Sequence, residues 1–230
     1  MEMMNDSLNI AIAGATGYVG LELVRILSKH PKVKITYLCA TKSIGKSIYK
    51  FDKKIKKKNL PKISKISSVN WFKVNILFTS LPNGMAQKIS KLIPEHIKII
   101  DLSADFRLKN PNEYKKWYGA DHKNKGLIKK SIYSITEFSR EKISNYKIIS
   151  CPGCYPTSVQ LPLIPLIKNK IININNIIID SKSGFSGAGK NVKKKFKFKN
   201  LFNSVSAYGV GDTGIWLKLI RSLIKYQKRK

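Results

Sequence analysis

Arginine, acidic residues and alanine are scarce in this 230-residue chain. It contains 5 Arg, 9 Ala and 13 acidic residues, against 39 Lys, 32 Ile and 17 Asn, and its formal net charge is +31. A nucleic-acid partner is the usual inference from such a charge, but surfaces that bind phosphate and guanine favour the planar fork of Arg. Lys, Ile and Asn have A/T-rich codons and Ala has G/C-rich codons. We therefore interpret the basicity as drift in an AT-rich genome and expect no nucleic-acid partner.

Cysteine is also rare, and long apolar runs are missing. The three cysteines are an odd number, which makes a secreted disulfide protein an unattractive interpretation. No apolar run approaches the roughly 20 residues of a membrane span, and the first residues lack the basic and apolar regions of a secretory signal. With 43% hydrophobic residues the chain can bury a core. We expect a soluble cytoplasmic protein of one large domain or two small ones, with no membrane partner and no structural metal.

Hydrophobic patterning predicts alternating strands and helices. The alternation favours a right-handed, doubly wound parallel sheet, that is, an α/β Rossmann-like domain. The basic segment 42–65 is predicted to be a solvated loop or a variable helix. The predicted strands are 8–13, 33–40, 75–79, 97–102, 147–150 and 176–180, and the predicted helices are 21–29, 85–93 and 157–168.

A glycine motif, G-A-T-G-Y-V-G over 14–20, lies between the first predicted strand and the first predicted helix. Glycines allow a tight turn and close approach to a pyrophosphate, which a helix N-terminus stabilises. The spacing differs from the dinucleotide fingerprint G-x-G-x-x-G, and a turn without a ligand remains an alternative. The candidate cofactor-binding residues here are Gly14, Thr16, Gly17, Tyr18, Val19 and Gly20.

The end of the second predicted strand bears on the choice of cofactor. An NAD site places a carboxylate there to accept hydrogen bonds from the ribose hydroxyls. This chain has Thr41, Lys42 and Ser43 instead. These cationic and hydroxyl side chains suit a 2′-phosphate, so NADP is predicted over NAD.

Three further motifs follow strands. Cys151-Pro-Gly-Cys154 is compatible with a redox dithiol, half of a zinc site, a nucleophilic Cys154 whose pKa a helix N-terminus would lower, or a buried structural cysteine. Ser183 to Lys190 could cradle an anion or be a plain loop. Asp101 to Arg107 follows a strand at the edge where such sheets bind ligands, although a surface ion pair would explain it equally.

Taken together, these segments resemble the N-acetyl-gamma-glutamyl-phosphate reductase family, which is similar in architecture to aspartate-semialdehyde dehydrogenase. The resemblance runs from about residue 7 to residue 211. It rests on G-A-T-G-Y-V-G (14–20), L-P-N-G (81–84), D-L-S-A-D-F-R-L (101–108), W-Y-G-A-D-H (117–122), P-G-C-Y-P-T (152–157), S-G-F-S-G-A-G-K (183–190) and A-Y-G-V-G (207–211).

The resemblance implies a mechanism and a set of site residues. Cys154 corresponds to the nucleophile that attacks the acyl phosphate and forms a thioester, which NADPH reduces to the semialdehyde. Cofactor contacts are implied for Pro82, Ser186 and Gly187, and substrate contacts for Ser103, Arg107 and Lys190. Cys151 stands where the family usually has Asn, and 133–137 reads Y-S-I-T-E instead of Y-G-L-P-E. These departures concern the shape of the substrate pocket.

The family's H-R-H segment after Y-G-V-G is missing, and no histidine follows His122. A possible coding sequence for 212–219, read after skipping two nucleotides, encodes H-R-H-L-A-E-I, so we interpret 212–230 as an out-of-frame tail; a divergent C-terminal helix is the alternative.

The expected domains are 1–150 for NADP binding and 151–211 for an incomplete α/β (α+β) catalytic and dimerisation domain. A homo-oligomer is expected for the full-length family. Alternatives are an inactive remnant that binds only nucleotide, an aspartate-semialdehyde dehydrogenase-type reductase and a basic nucleic-acid-binding protein.

Overall fold

The computed structural model describes residues 7–55, 59–173, 175 and 177–189. The chain divides into two compact units. The first comprises Met1–Pro111 and Asp121–Cys151, and the second comprises Asn112–Ala120 and Pro152–Lys230.

The first unit is built on a parallel sheet. Its strands are β1 (Leu8–Ala13), β2 (Val33–Cys39), β3 (Ile63–Ser64), β4 (Ile76–Thr79), β5 (Lys98–Asp101), β6 (Ser131–Tyr133) and β7 (Ile148–Ser150). They lie in the order β3-β2-β1-β4-β5-β7-β6, and every neighbouring pair is parallel. The strand order reverses direction at β1 and β4, as in a doubly wound sheet. The predicted fold class is confirmed.

The core lies on both faces of this sheet because successive side chains of a strand point to opposite faces. Ile10 and Ile12 of β1 pack with Leu21 and Val24 on one face. Ala11 and Ala13 face the other way and pack with residues that include Leu77 and Ala86. A buried strand that carries apolar residues on both faces is typical of parallel sheets.

Of the five α-helices in the described part of the chain, three have a glycine as N-cap and a fourth begins at a proline. The first unit holds α1 (Tyr18–Leu27), α2 (Met85–Ser90) and α4 (Lys125–Ile128). The helix α3 (Pro111–Tyr118) lies in the second unit except for its first residue, Pro111. The second unit also contains α5 (Cys154–Lys168) and a 3-10 turn (Phe185–Ala188). Gly17, Gly84 and Gly153 are the N-cap residues of α1, α2 and α5. None of the described helices is long and apolar enough to cross a membrane.

Several predicted boundaries need correction. The first helix begins at Tyr18, three residues before the predicted start, because Gly17 is its N-cap and the residue that follows is already helical. The segment 42–65 is not simply a solvated loop: it contains a 3-10 turn (Ile48–Lys50) and β3, and it buries Ile48, Ile55 and Ile63. The short elements β3, β6, α3 and α4 were not predicted, because runs of two to eight residues carry little periodicity.

The predicted strand over 176–180 is wrong for the residues that the structure describes. Residues 177–180 belong to no strand, and Asn176 lies outside the described residues. Ile178 is 94% exposed. An apolar run becomes a strand only where a neighbouring strand accepts its hydrogen bonds, and none of the described strands pairs with this one.

Two backbone contacts require glycine in the turn between β1 and α1. Gly14 has φ +85°, and a Cβ atom there would lie 2.1 Å from the carbonyl oxygen of Ser80. A Cβ atom at Gly20 would lie 2.1 Å from the carbonyl oxygen of Gly14. Both neighbours are main-chain atoms, which cannot rotate away as a side chain can. These contacts fix the turn against the end of β4 and against the first turn of α1.

We expect Gly14→Ala to destabilise the protein by about 2–4 kcal/mol, since it adds left-handed strain to a backbone clash. Gly126 of α4 is the matched control because a Cβ atom there has no neighbour within 4 Å. Gly126→Ala should change stability by less than about 1 kcal/mol. Urea denaturation followed by circular dichroism measures both changes, and equal midpoints for the two variants would contradict the steric argument.

Candidate active site

The glycine turn lies at the carboxyl edge of the sheet, where parallel α/β sheets bind ligands. The N–H groups of Gly14 and Ala15 donate to the carbonyl of Cys39 at the end of β2, at 2.9 and 3.1 Å. The Gly17 N–H donates to the Gly14 carbonyl at 3.0 Å. These main-chain hydrogen bonds hold the turn against the end of β2.

The amino end of α1 is suited to an anion. Its N-cap, Gly17, offers no side-chain cap, and the first turn carries no acidic residue. Tyr18 and Val19, the first two helical residues, are 46% and 49% exposed, and Thr16 is half-buried. The N-terminal N–H groups of a helix have no acceptor within the helix, and the helix dipole favours negative charge there. The predicted cofactor-binding residues over 14–20 thus lie together in the turn and at the start of α1.

The second predicted cofactor segment follows β2 directly. Thr41 and Lys42 are exposed, and Ser43 is half-buried with φ +67°. Gly45 donates its N–H to the carbonyl of Ile63, the first residue of β3, at 2.8 Å. Lys42 thus lies three residues after the carboxyl end of β2, which neighbours that of β1.

A buried carboxylate organises the loop after β4. Asp105 is fully buried, and its two carboxylate oxygens accept the N–H groups of Gly84 at 2.7 Å and Gln87 at 3.1 Å. These N–H groups belong to the N-cap and first turn of α2, where a carboxylate is most stabilising. Asp105 thereby fixes the segment that contains Pro82, one of the predicted cofactor residues.

Asp101 ends β5 and is also fully buried. One carboxyl oxygen accepts from the Thr79 hydroxyl at 2.6 Å and from the Ser103 N–H at 3.0 Å. Burial raises the pKa of this carboxyl above its usual range. The other oxygen has no protein partner in the part of the chain that the structure describes, and the same holds for the hydroxyl of Ser150, its register partner on β7. The carboxyl edge of the sheet thus retains unused hydrogen-bonding groups.

The predicted substrate residues Ser103 and Arg107 have structural contacts. The Ser103 hydroxyl is buried and accepts from the Asp105 N–H at 3.2 Å. The Arg107 guanidinium donates to the carbonyls of Cys151 at 2.9 Å and Leu102 at 3.0 Å. Arg107 therefore joins the ends of β5 and β7. Its role in substrate binding stays a prediction.

His122 is the last histidine of the chain, and it is buried. Its Nδ1 accepts from the Asn124 N–H at 3.1 Å, so the Nε2 atom donates to the Asp105 carbonyl at 2.9 Å. Burial lowers the pKa of this imidazole. The neutral tautomer that these contacts select ties His122 to the buried acidic segment.

The three cysteines lie in different environments. Cys39 is buried in the core, and burial raises the pKa of its thiol to about 11. Burial and the neighbouring Asp101 charge raise the pKa of the partly exposed Cys151 thiol to about 11 as well. Cys154 is exposed and is the first residue of α5. The strand-to-helix junction expected before Cys154 is present, since β7 ends at Ser150 and Gly153 caps α5.

The remaining predicted site residues lie in the loop after 183. Ser186 and Gly187 belong to the 3-10 turn over Phe185–Ala188, and both are exposed. Gly189 has φ +80°. Lys190 and the proposed out-of-frame tail over 212–230 lie outside the described residues. No group of three or more metal-ligating side chains occurs in the part of the chain that is described.

Sequence reasoning missed the structural use of Asp105, Arg107 and His122. The D-L-S-A-D-F-R-L segment stands out in the sequence, but local sequence assigns no role to its two aspartates. The two aspartates lie four residues apart at the end of a strand. Acidic side chains in such a turn often cap a neighbouring helix, and this is the one signal of the role of Asp105 that the sequence contains. The helix that Asp105 caps lies about 20 residues earlier in the chain, which local sequence does not reveal.

Comparison with known proteins identifies the class. Residues 9–146 match the family model of the semialdehyde dehydrogenase NAD binding domain, and residues 154–213 match that of the semialdehyde dehydrogenase dimerisation domain. The chain belongs to the semialdehyde dehydrogenase family. Aspartate semialdehyde dehydrogenase II of Vibrio cholerae has the same fold, with a TM-score of 0.64 and 18% identity over 96% of this chain and 66% of that chain.

Two curated relatives carry the name of one enzyme, N-acetyl-gamma-glutamyl-phosphate reductase. The N-acetyl-gamma-glutamyl-phosphate reductase of Ehrlichia canis is 44% identical over 210 residues, which are 91% of this chain and 60% of the relative. The probable chloroplastic N-acetyl-gamma-glutamyl-phosphate reductase of Oryza sativa is 41% identical over 205 residues, which are 89% of this chain and 49% of the relative. The chain thus spans about half to 60% of the length of these relatives.

The exposure of Cys154 leads to a test by alkylation. At pH 8 a thiol with a pKa of about 11 holds about 0.1% thiolate, the reactive form. We therefore expect iodoacetamide to modify Cys154 at least about tenfold faster than Cys39 or Cys151, as measured by mass spectrometry of peptides. Cys154→Ser should abolish the fast phase, and the control Cys151→Ser should keep it. A fast phase that survives in Cys154→Ser would contradict this assignment.

Proposed function

We propose that this chain is part of an NADPH-dependent reductase that converts N-acetyl-gamma-glutamyl phosphate to the semialdehyde of N-acetylglutamate, with Cys154 as nucleophile. The exposed thiol of Cys154 at the first position of α5 carries the proposal. A helix N-terminus stabilises a thiolate, and the names of the relatives at 41–44% identity supply the substrate.

The chemistry requires an acyl phosphate and a hydride donor. The Cys154 thiolate attacks the acyl carbon and expels inorganic phosphate, which forms a thioester. When bound, NADPH supplies a hydride to the thioester carbonyl carbon. Protonation of the resulting oxygen, followed by loss of the thiolate and of that proton, releases the aldehyde and restores Cys154. A general acid–base group is needed for this proton, and His122 is not suited to it, since both of its ring nitrogens have partners.

The glycine loop fits the pyrophosphate of a dinucleotide. Gly14 and Gly20 are positions where a Cβ atom would meet main-chain oxygens, and the amino end of α1 has no side-chain cap. Thr41, Lys42 and Ser43 would receive a 2′-phosphate beside this loop. Further contacts with the cofactor are proposed for Pro82, Ser186 and Gly187, and contacts with the substrate for Ser103, Arg107 and Lys190.

The proposed domains are 1–150 for NADP binding and 151–211 for the start of a catalytic and dimerisation domain. The match to the dimerisation domain supports a homo-oligomer in the complete family member. We further propose that 212–230 is read out of frame. The family match ends at residue 213, and the histidine that would provide acid–base help is missing after Gly211.

The cofactor proposal has a direct test in Lys42. Lys42→Glu should weaken NADPH binding about tenfold or more and affect NADH far less, because it replaces an attractive charge by a repulsive one near the 2′-phosphate. Fluorescence titration of both cofactors gives the two dissociation constants. Lys32→Glu is the control, since Lys32 is exposed and precedes β2 at the opposite edge of the sheet. Equal weakening of NADPH and NADH would refute a phosphate contact.

The activity test separates the Cys154 assignment from the reading-frame proposal. Loss of acid–base help costs about 10²–10⁴-fold in rate, so the 230-residue chain should show little reductase activity. A protein with the frame shifted by two nucleotides after Gly211 should be active, and Cys154→Ser should inactivate it while Cys151→Ser retains turnover. Full turnover by the 230-residue chain would overturn the frame proposal. An inert frame-restored protein with bound NADPH would overturn the role of Cys154.

A further inference from the structure

A groove of about 380 Å³ lies at the amino ends of β5, β6 and β7. Because the strands are parallel, this edge is opposite to the one that carries the glycine loop. The groove belongs entirely to the first unit. The residues that matter for its chemistry are Glu95, Lys98, Lys129, Lys130, Asn145 and Lys147.

Two of the lysines are held in place by main-chain carbonyls. The Lys98 ammonium donates to the carbonyls of Ser144 at 2.6 Å and Tyr146 at 2.8 Å. The Lys147 ammonium donates to the carbonyl of Pro94 and, at 2.9 Å, to that of Glu95. An ammonium group has three N–H donors, so each of these lysines can still donate to a ligand. Carbonyl groups orient the ammonium groups and do not cancel their charge.

The acidic residues do not balance this charge. Glu95 is the one acidic residue among those that line the groove, and it pairs with Lys130 at 2.9 Å on the exposed side. Lys129 is exposed and adds a fourth positive charge. The lining therefore carries three more positive charges than negative ones.

Burial makes this excess charge costly. Lys147 is 6% exposed, and burial, together with the neighbouring charges of Lys130 and Lys98, lowers the pKa of its ammonium, although Glu95 opposes the shift. An anion in the groove would supply the missing negative charge to Lys147 and Lys98 together. Charge-assisted hydrogen bonds of this kind are roughly twice as strong as those between neutral groups.

We propose that the groove is a second anion site, which binds a small, multiply charged phosphate compound such as phosphate or pyrophosphate. It is separate from the glycine loop and does not depend on the proposed reductase activity. The concave shape and fixed ammonium groups suit a compact anion better than an extended polymer.

The site can be located by lysine acylation of the 230-residue chain. Inorganic phosphate and pyrophosphate are the probes, with KCl at equal ionic strength as the reference, because a chain of charge +31 attracts any anion weakly. We expect pyrophosphate to slow acylation of Lys98, Lys129 and Lys130 about tenfold at a concentration that changes Lys29 and Lys32 less than about twofold. Stronger protection by phosphate than by pyrophosphate would identify a single-phosphate site. Uniform protection, or none, would overturn the proposal.

Matched charge variants complete the test. The double variant Lys129→Gln/Lys130→Gln should weaken pyrophosphate binding about tenfold in calorimetry. The control Lys29→Gln/Lys32→Gln removes the same charge from exposed positions before β2 and should change binding less than about twofold. All four positions are exposed, so both variants should fold, which circular dichroism checks. Equal weakening by the two variants would show attraction to the whole chain and would overturn the site.

Discussion

Main-chain contact between the β1–α1 turn and the end of β4 is the constraint on which the rest of the first unit depends. A Cβ atom at Gly14 would collide with the Ser80 carbonyl, and one at Gly20 would collide with the Gly14 carbonyl. Only a turn without these atoms lets α1 begin at Tyr18. The start of α1 determines where its unpaired N–H groups lie, and the position of Ser80 determines where the next loop leaves the sheet. The nucleotide binding that we propose at this edge would depend on this close packing of the backbone.

The buried residues Asp101 and Asp105 hold the neighbouring loops at the same edge of the sheet. Asp105 caps α2 through Gly84 and Gln87, and the Nε2 atom of His122 donates to the main-chain carbonyl of Asp105. Arg107 then ties Leu102 to Cys151. Replacing a buried, hydrogen-bonded charge leaves its partners unsatisfied, which costs more than the contact contributes. The D-L-S-A-D-F-R-L segment thus primarily connects the ends of neighbouring strands through hydrogen bonds. Any contact that it makes with substrate would depend on these structural contacts.

The sequence was most informative where periodicity was long and turn chemistry was specific. The strands over 8–13 and 33–39 are mostly apolar, and the glycine spacing marks the turn between β1 and α1, so the parallel sheet could be predicted. Isoleucines at 48, 55 and 63 are separated by lysines, and their burial depends on partners that lie far away in the chain. The apolar run at 177–179 has the composition of a strand without a described neighbour to pair with. Strand formation is a property of the pair, and one segment alone cannot specify it.

Burial distinguishes the lysines that reflect the overall composition of the chain from those that have a role in a site. Codon drift can place lysine wherever the side chain reaches water, because an exposed ammonium costs little. It cannot readily place one at Lys147, since a desolvated ammonium is costly unless it is both hydrogen-bonded and paired with a negative charge. Two carbonyls hold this ammonium, and the only acidic side chain lining the groove already faces Lys130. The same lysine-rich composition therefore contains two populations: a solvated majority that explains the net charge, and a small, fixed group whose charge needs a partner of its own.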